Sequence, residues 1–111
     1  MQYMLLIYED ESHYADEAVL QDMIMKHRAF VGELGAVFKS GSGLGGSDTA
    51  TLVRTAADGV KSIHDGPFAE AREQLGGYYV VEVADLNEAL AIARRIPLCI
   101  DGAIEVRPMY A

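Results

Sequence analysis

The stretch "GGYYVVEVADLNEALAIARRIP", Gly76 to Pro97, contains a change of period that decides the fold. Gly76–Val83 is rich in aromatic and β-branched residues and apolar on both faces apart from Glu82, so it reads as a strand buried on both sides. The spacing then changes. Leu86, Ala89, Leu90, Ala93 and Ile96 recur at intervals of three and four, which places one apolar stripe along a helix over Asp85–Pro97. Asp85 is placed to cap that helix, Glu88 stands three residues later in capping-box spacing, and Pro97 stops it. Gly102–Tyr110 follows as a strand, alternating Ile104 and Val106 against Glu105 and Arg107, with Pro108 suited to an edge or a strand end.

The N-terminal half repeats the pattern. Gln2–Tyr8 reads as the first strand, with Tyr3, Leu5 and Ile7 on one face and Met4, Leu6 and Tyr8 on the other. Both faces are apolar, so both should be covered. Glu9–Glu17 is an acidic connection, read as a solvated lead-in to a helix N-terminus rather than a cation chelator. The long helix spans Ala15–Leu34, with Leu20, Met23, Ile24, His27, Phe30, Val31 and Leu34 on its apolar stripe and Gly35 as its stop. Ala36–Leu44 reads as a second strand that becomes glycine-rich, and Thr49–Asp65 as a hairpin turning at Asp58-Gly59.

The order strand, helix, strand, hairpin, strand, helix, strand predicts one α+β domain over residues 1–111. It is a ferredoxin-like plan of the dimeric α/β-barrel type, an antiparallel sheet with two helices on one face and an extra hairpin in the middle. The second apolar sheet face has no cover left in the chain, so a homodimer packed through its sheet faces is expected.

Half of the 111 residues are hydrophobic, enough for one core without a metal or disulfide. The net charge is -8 and the nine Lys and Arg are scattered, which argues against direct nucleic-acid binding and against an anionic membrane surface. One cysteine excludes an internal disulfide. The N-terminus lacks a signal pattern, and a cytoplasmic protein is expected.

The glycines of "GSGLGG" (Gly41–Gly46) match the spacing of a dinucleotide fingerprint, but strand-like sequence follows where that motif needs a helix, so an inter-strand loop is expected and no cofactor. His13, His27 and His64 lack ligand spacing, so no metal is expected. His13 and His64 read as exposed, and Cys99 as a small buried filler without an activating partner. His27, on the apolar stripe, reads either as a core histidine or as a general base, with Asp65 as the carboxylate that would orient it. In "DGPF" (Asp65–Phe68), glycine before proline eases the restriction that proline imposes, and Asp65 can cap the amides that follow. One or two helical turns are expected within Pro67–Leu75. Asp65 could equally line a ligand cleft, with Arg72 and Gln74 pointing inward.

"DGPFAEAREQLGGYYVVEVADLNEALAIARRIP" (Asp65–Pro97), with "GAIEVRPMY", "MQYMLLIYEDE" and "SDTATLVR", resembles the DGPF proteins of the YCII-related family over nearly the whole chain. The resemblance implies a ferredoxin-like dimer. Some members carry a buried His–Asp pair in a cleft, whose histidine aligns near Met25 rather than His27. Asp65, Gly66, Pro67 and Phe68 stand at the family motif. DGPF proteins are commonly encoded beside extracytoplasmic-function sigma factors. That proximity implies a regulatory association, and the expectation is a ligand-binding or regulatory accessory protein in such a pathway, with Asp65, Gly66, Pro67, Phe68, Arg72 and Gln74 as its ligand-binding residues. The alternative is a small acid–base enzyme using Asp65 with His27. A cofactor-independent monooxygenase-like dimer follows from fold analogy alone.

Overall fold

The computed structural model describes residues 1–66 and 72–110. Six strands and two helices are present among them: β1 (Gln2–Glu9), α1 (Glu17–Leu34), β2 (Phe38–Gly43), β3 (Thr51–Thr55), β4 (Lys61–Asp65), β5 (Gln74–Glu82), α2 (Leu86–Ala93) and β6 (Ala103–Pro108). Four strands form one sheet in the order β2-β5-β1-β6, with every neighbouring pair antiparallel. β1 and β5 occupy the middle, as the ferredoxin-like plan requires.

Alternation along the two central strands builds the core. Tyr3, Leu5 and Ile7 of β1 and Tyr79 and Val81 of β5 are buried, and they pack with Phe30 of α1, Ala89 of α2, and Ile96. Leu5 and Val81 are the largest side chains with no residual exposure. Both helices cover this face. The opposite face carries half-buried Met4, Leu6, Tyr8 and Tyr78 around Val80.

Chemistry at the element ends explains their limits. A short 3-10 turn over Glu11–Ala15 occupies part of the expected long helix, and α1 begins only after Asp16, whose carboxylate accepts the Ala18 amide at 2.8 Å. Gly35 ends α1 at φ 58°, where a side chain would be strained. Asp85 caps α2 by accepting the Glu88 amide at 3.0 Å, while Glu88 reaches back to the Ala84 amide at 2.9 Å. α2 stops at Ala93, and tighter turns carry the chain from there to Ile96, because the proline that follows disfavours α geometry before it.

The hairpin stands apart as a second sheet of β3 and β4 alone. Ala57-Asp58-Gly59 turns it: the Gly59 amide bonds to the Ala56 carbonyl, and Gly59 sits at φ 87°. Val53 and Ile63 pair across the strands and are 61% and 72% exposed.

One boundary matters for the site. β1 runs to Glu9, one residue beyond the expected strand, so the acidic connection does not begin in solvent. Glu9 continues the Tyr3, Leu5, Ile7 face and is 6% exposed.

Candidate functional site

β2 and β5 should present side chains to the N-terminal half of α1. At three inward positions they present glycine. Gly41 lies opposite Tyr79 and Gly43 opposite Gly77, and all four residues face the helix side. Between sheet and helix lies a cavity of about 1150 Å³, onto which Gly43 opens: a Cβ there would meet nothing within 4 Å, whereas one on Gly41 or Gly77 would meet neighbouring-strand backbone at 2.8 Å. Its apolar wall is Ile7, Leu20, Met23, Ile24 and Phe38. Its polar groups include Glu9, Glu11, Tyr14, His27, Gln74 and Tyr79.

His27 and Tyr79 form the first polar pair. The His27 Nδ1 and the Tyr79 hydroxyl are 2.7 Å apart, and the rings meet edge to face at 5.8 Å between centroids. Burial pushes the Tyr79 phenol up to about 12, so it remains a donor. Burial also lowers the His27 pKa below 6.5, against weaker opposing effects from Glu9 and the Pro97 backbone. A neutral imidazole facing a protonated phenol accepts at Nδ1 and keeps its own proton on Nε2.

Glu9 and Tyr14 form the second. The Tyr14 hydroxyl donates to both carboxylate oxygens of Glu9, at 2.9 and 2.8 Å, and the Cys99 amide donates to Oε2 at 2.7 Å. Burial, aided by its contacts with Cys99 and Glu9, raises the Tyr14 pKa, so this phenol also keeps its proton. Burial likewise raises the Cys99 thiol, which disfavours a thiolate nucleophile there.

The rim is fastened by a third set of contacts. The Glu11 carboxylate accepts the Ser47 amide at 3.0 and 3.2 Å and the Ser47 hydroxyl, while the Glu11 amide donates to Gln74 Oε1 at 3.1 Å. The Gly66 amide then bonds to the Ala50 carbonyl at 2.7 Å. A Cβ on Gly66 would lie 2.5 Å from the Ser47 carbonyl oxygen. Glycine at this position is thus required by close approach of another backbone, beyond its relation to the proline after it.

The expected site residues separate. His27 and Gln74 line the cavity. Asp65 does not; it is exposed at the end of β4, opposite Thr51, whose hydroxyl donates to it at 3.4 Å. The chain therefore joins His27 to Tyr79 by a hydrogen bond, and not to Asp65. Arg72 is exposed beside a separate depression with Asp10, His13, Glu73 and Asp101. Pro67 and Phe68 lie outside the described residues, as does most of the expected helical segment; Gln74 and Leu75 at its end already belong to β5. His13 and His64 are exposed, and His64 meets the Ser62 hydroxyl at 3.0 Å. Sequence pattern alone does not single out Glu9, Tyr14 or Tyr79. The parity of Tyr3, Leu5 and Ile7 was the signal that could have found Glu9.

A profile of the YCII-related domain matches residues 1–111. The chain belongs to the YCII-related family. It is similar to an uncharacterised protein of Rhizobium meliloti (strain 1021), 37% identical over 119 aligned positions that cover 98% of this chain and 92% of the relative. Among the described residues of this YCII-related chain, no three His, Cys, Asp or Glu side chains are grouped to hold a metal ion. No described helix is long and apolar enough to cross a membrane.

Proposed function

We propose that this YCII-related chain is an accessory protein that binds a small ligand in the cavity beneath α1. The observation that carries the reading is the cavity itself, onto which Gly43 opens from the helix-facing side of the sheet. Protein interiors close-pack, and unfilled space forfeits contact energy. Space bordered by glycines, with an apolar wall and a few convergent polar groups, has the composition of a ligand site.

Titration calorimetry with 1-naphthalenemethanol, a neutral apolar probe, tests this. Saturable binding is expected, weakened about tenfold or more by Gly43→Leu. A Cβ at Gly43 would meet nothing within 4 Å, so leucine enters open space. Absence of saturable binding to the natural chain, or binding untouched by the substitution, overturns the reading.

Two finer readings go with it. A homodimer through the sheet faces is supported by the apolar group Met4, Leu6, Tyr8, Tyr78 and Val80; light scattering should give twice the chain mass at micromolar concentration. Association with a sigma-factor pathway is supported by the family resemblance and the acidic charge; a pull-down from the native cell that never recovers a sigma factor or its regulator overturns it.

The acid–base alternative keeps one supporting observation, a neutral His27 in the cavity wall. Its Asp65 component requires that residue to reach the cavity from outside the arrangement of one chain. Unaltered activity in Asp65→Asn, once an activity is found, would remove Asp65 from it.

A further inference from the structure

We propose that Glu9 makes the cavity selective for molecules carrying a protonated amine on an apolar body. This rests on the ligand-binding reading above and adds the ligand's chemical class.

The argument begins with the acceptor capacity of one carboxylate. An ionised carboxylate offers about four lone-pair positions. Glu9 receives the Tyr14 hydroxyl, shared between its oxygens, the Cys99 amide and the Cys99 thiol, which is fewer than four donors. Accepting capacity therefore remains on a residue that is 6% exposed and lines the cavity. Buried carboxylates are ordinarily matched by a cation, because removing the charge from water is costly. Among the described residues no lysine or arginine pairs with Glu9. A ligand ammonium would supply the missing positive charge and up to three donors.

The other charged groups around the cavity agree with that sign. Glu11 is engaged by Ser47, and Asp48 is exposed. Arg28 is the one cationic side chain among the described lining residues, and it is exposed. It follows His27 directly, so it points about 100° away around α1. An anionic group could meet Arg28 at the rim but would face Glu9 at the inner end. Ile7, Leu20, Met23 and Ile24 offer the apolar body its contact surface, and the rings of Tyr14 and Tyr79 suit a cation as neighbours.

Three probes with one aromatic body separate the possibilities: 1-naphthylmethylamine, 1-naphthalenemethanol and 1-naphthoate, titrated calorimetrically into the full chain at neutral pH. The amine should bind about tenfold or more tightly than the alcohol, and the carboxylate more weakly than the alcohol. Glu9→Gln should bring the amine to within about twofold of the alcohol, both measured on the same variant. Equal binding of amine and alcohol by the natural chain overturns this inference and leaves the ligand-binding reading standing. No binding of any probe overturns both. An amine preference that survives Glu9→Gln removes Glu9 as its cause. If circular dichroism shows Glu9→Gln unfolded, Tyr14→Phe replaces it: the carboxylate remains, so the preference must persist, and its loss overturns the assignment.

Discussion

The two ends of the helix-covered sheet face are built from the same strands and differ in what they present. At one end Tyr3, Leu5, Val81 and Val83 meet Phe30, Ala89 and Ile96, and the space is filled. At the other, Gly41, Gly43 and Gly77 stand where side chains would be, and Glu9, His27 and Tyr79 border a cavity. Strand pairing spans both ends, with register slips bordering the hollow one, between Ile7 and Tyr8 and between Phe38 and Ser40. Side-chain volume differs as well. The filled end supplies the hydrophobic stabilisation, and the hollow end holds the polar groups that such a core would otherwise reject.

The sharpest way to break the comparison is to hollow out the filled end. Leu5 has no residual exposure, and Leu5→Ala should cost about 2–5 kcal/mol, measured by denaturant unfolding. A loss below about 1 kcal/mol would mean that this end collapses as readily as the other is open.

The next effect tests whether the glycines only leave space. A Cβ on Gly77 would lie 2.8 Å from the Ser42 carbonyl oxygen in the neighbouring strand. Gly77→Ala should force β2 away from β5 and cost about 1–3 kcal/mol in the same assay. Here glycine is needed for strand approach as well as for the cavity, so a neutral result would contradict the described pairing.

Most of the filled end was legible in the sequence because its signals are local. Period two over β1 and β5, period near three and a half over the helices, and Asp85 with Glu88 at the start of α2 specify elements without tertiary information. The hollow end was legible only in part. Between Phe38 and Ser40 the register with β5 slips by one residue, so alternation counted from Phe38 puts Gly41 and Gly43 on the wrong face. Their run then read as a loop. Glu9 reads as part of the acidic connection because acidic residues normally favour solvent, although its parity with Ile7 points inward. His27 lies on the apolar stripe and is half-buried, but its partner is not legible, since Tyr79 is 52 residues away and no local spacing links the two.

A smaller effect sharpens the contrast through pH. His27 titrates below 6.5 in the folded chain because burial disfavours its charge. Between that lowered value and about 6.5 the unfolded chain binds more protons at this residue than the folded one. Its neutral state therefore contributes fully above about pH 6.5, and the contribution is lost as pH falls through that window. Midpoint temperatures at about pH 7.5 and about pH 5.5 should fall further in the natural chain than in His27→Gln, which keeps an acceptor for Tyr79 and cannot protonate. Equal falls would place the titration elsewhere. The exposed His13 and His64 remain in both proteins.

The smallest expected change in stability is the one that separates space from support. Gly43→Leu adds a large side chain at the hollow end, where a new Cβ meets no heavy atom within 4 Å. The residue is outside the positive-φ region, so leucine introduces no backbone strain there. Replacing glycine within a strand removes unfolded-chain freedom, a gain of about 0.4–1 kcal/mol where the backbone is compatible. Unfolding free energy should therefore stay level or rise by about that amount, while the cavity loses volume. A marked loss would mean that the space is already committed to packing. A level or higher value combined with weakened probe binding would distinguish the two ends by purpose: at Leu5 volume maintains the fold, whereas at Gly43 its absence maintains the site.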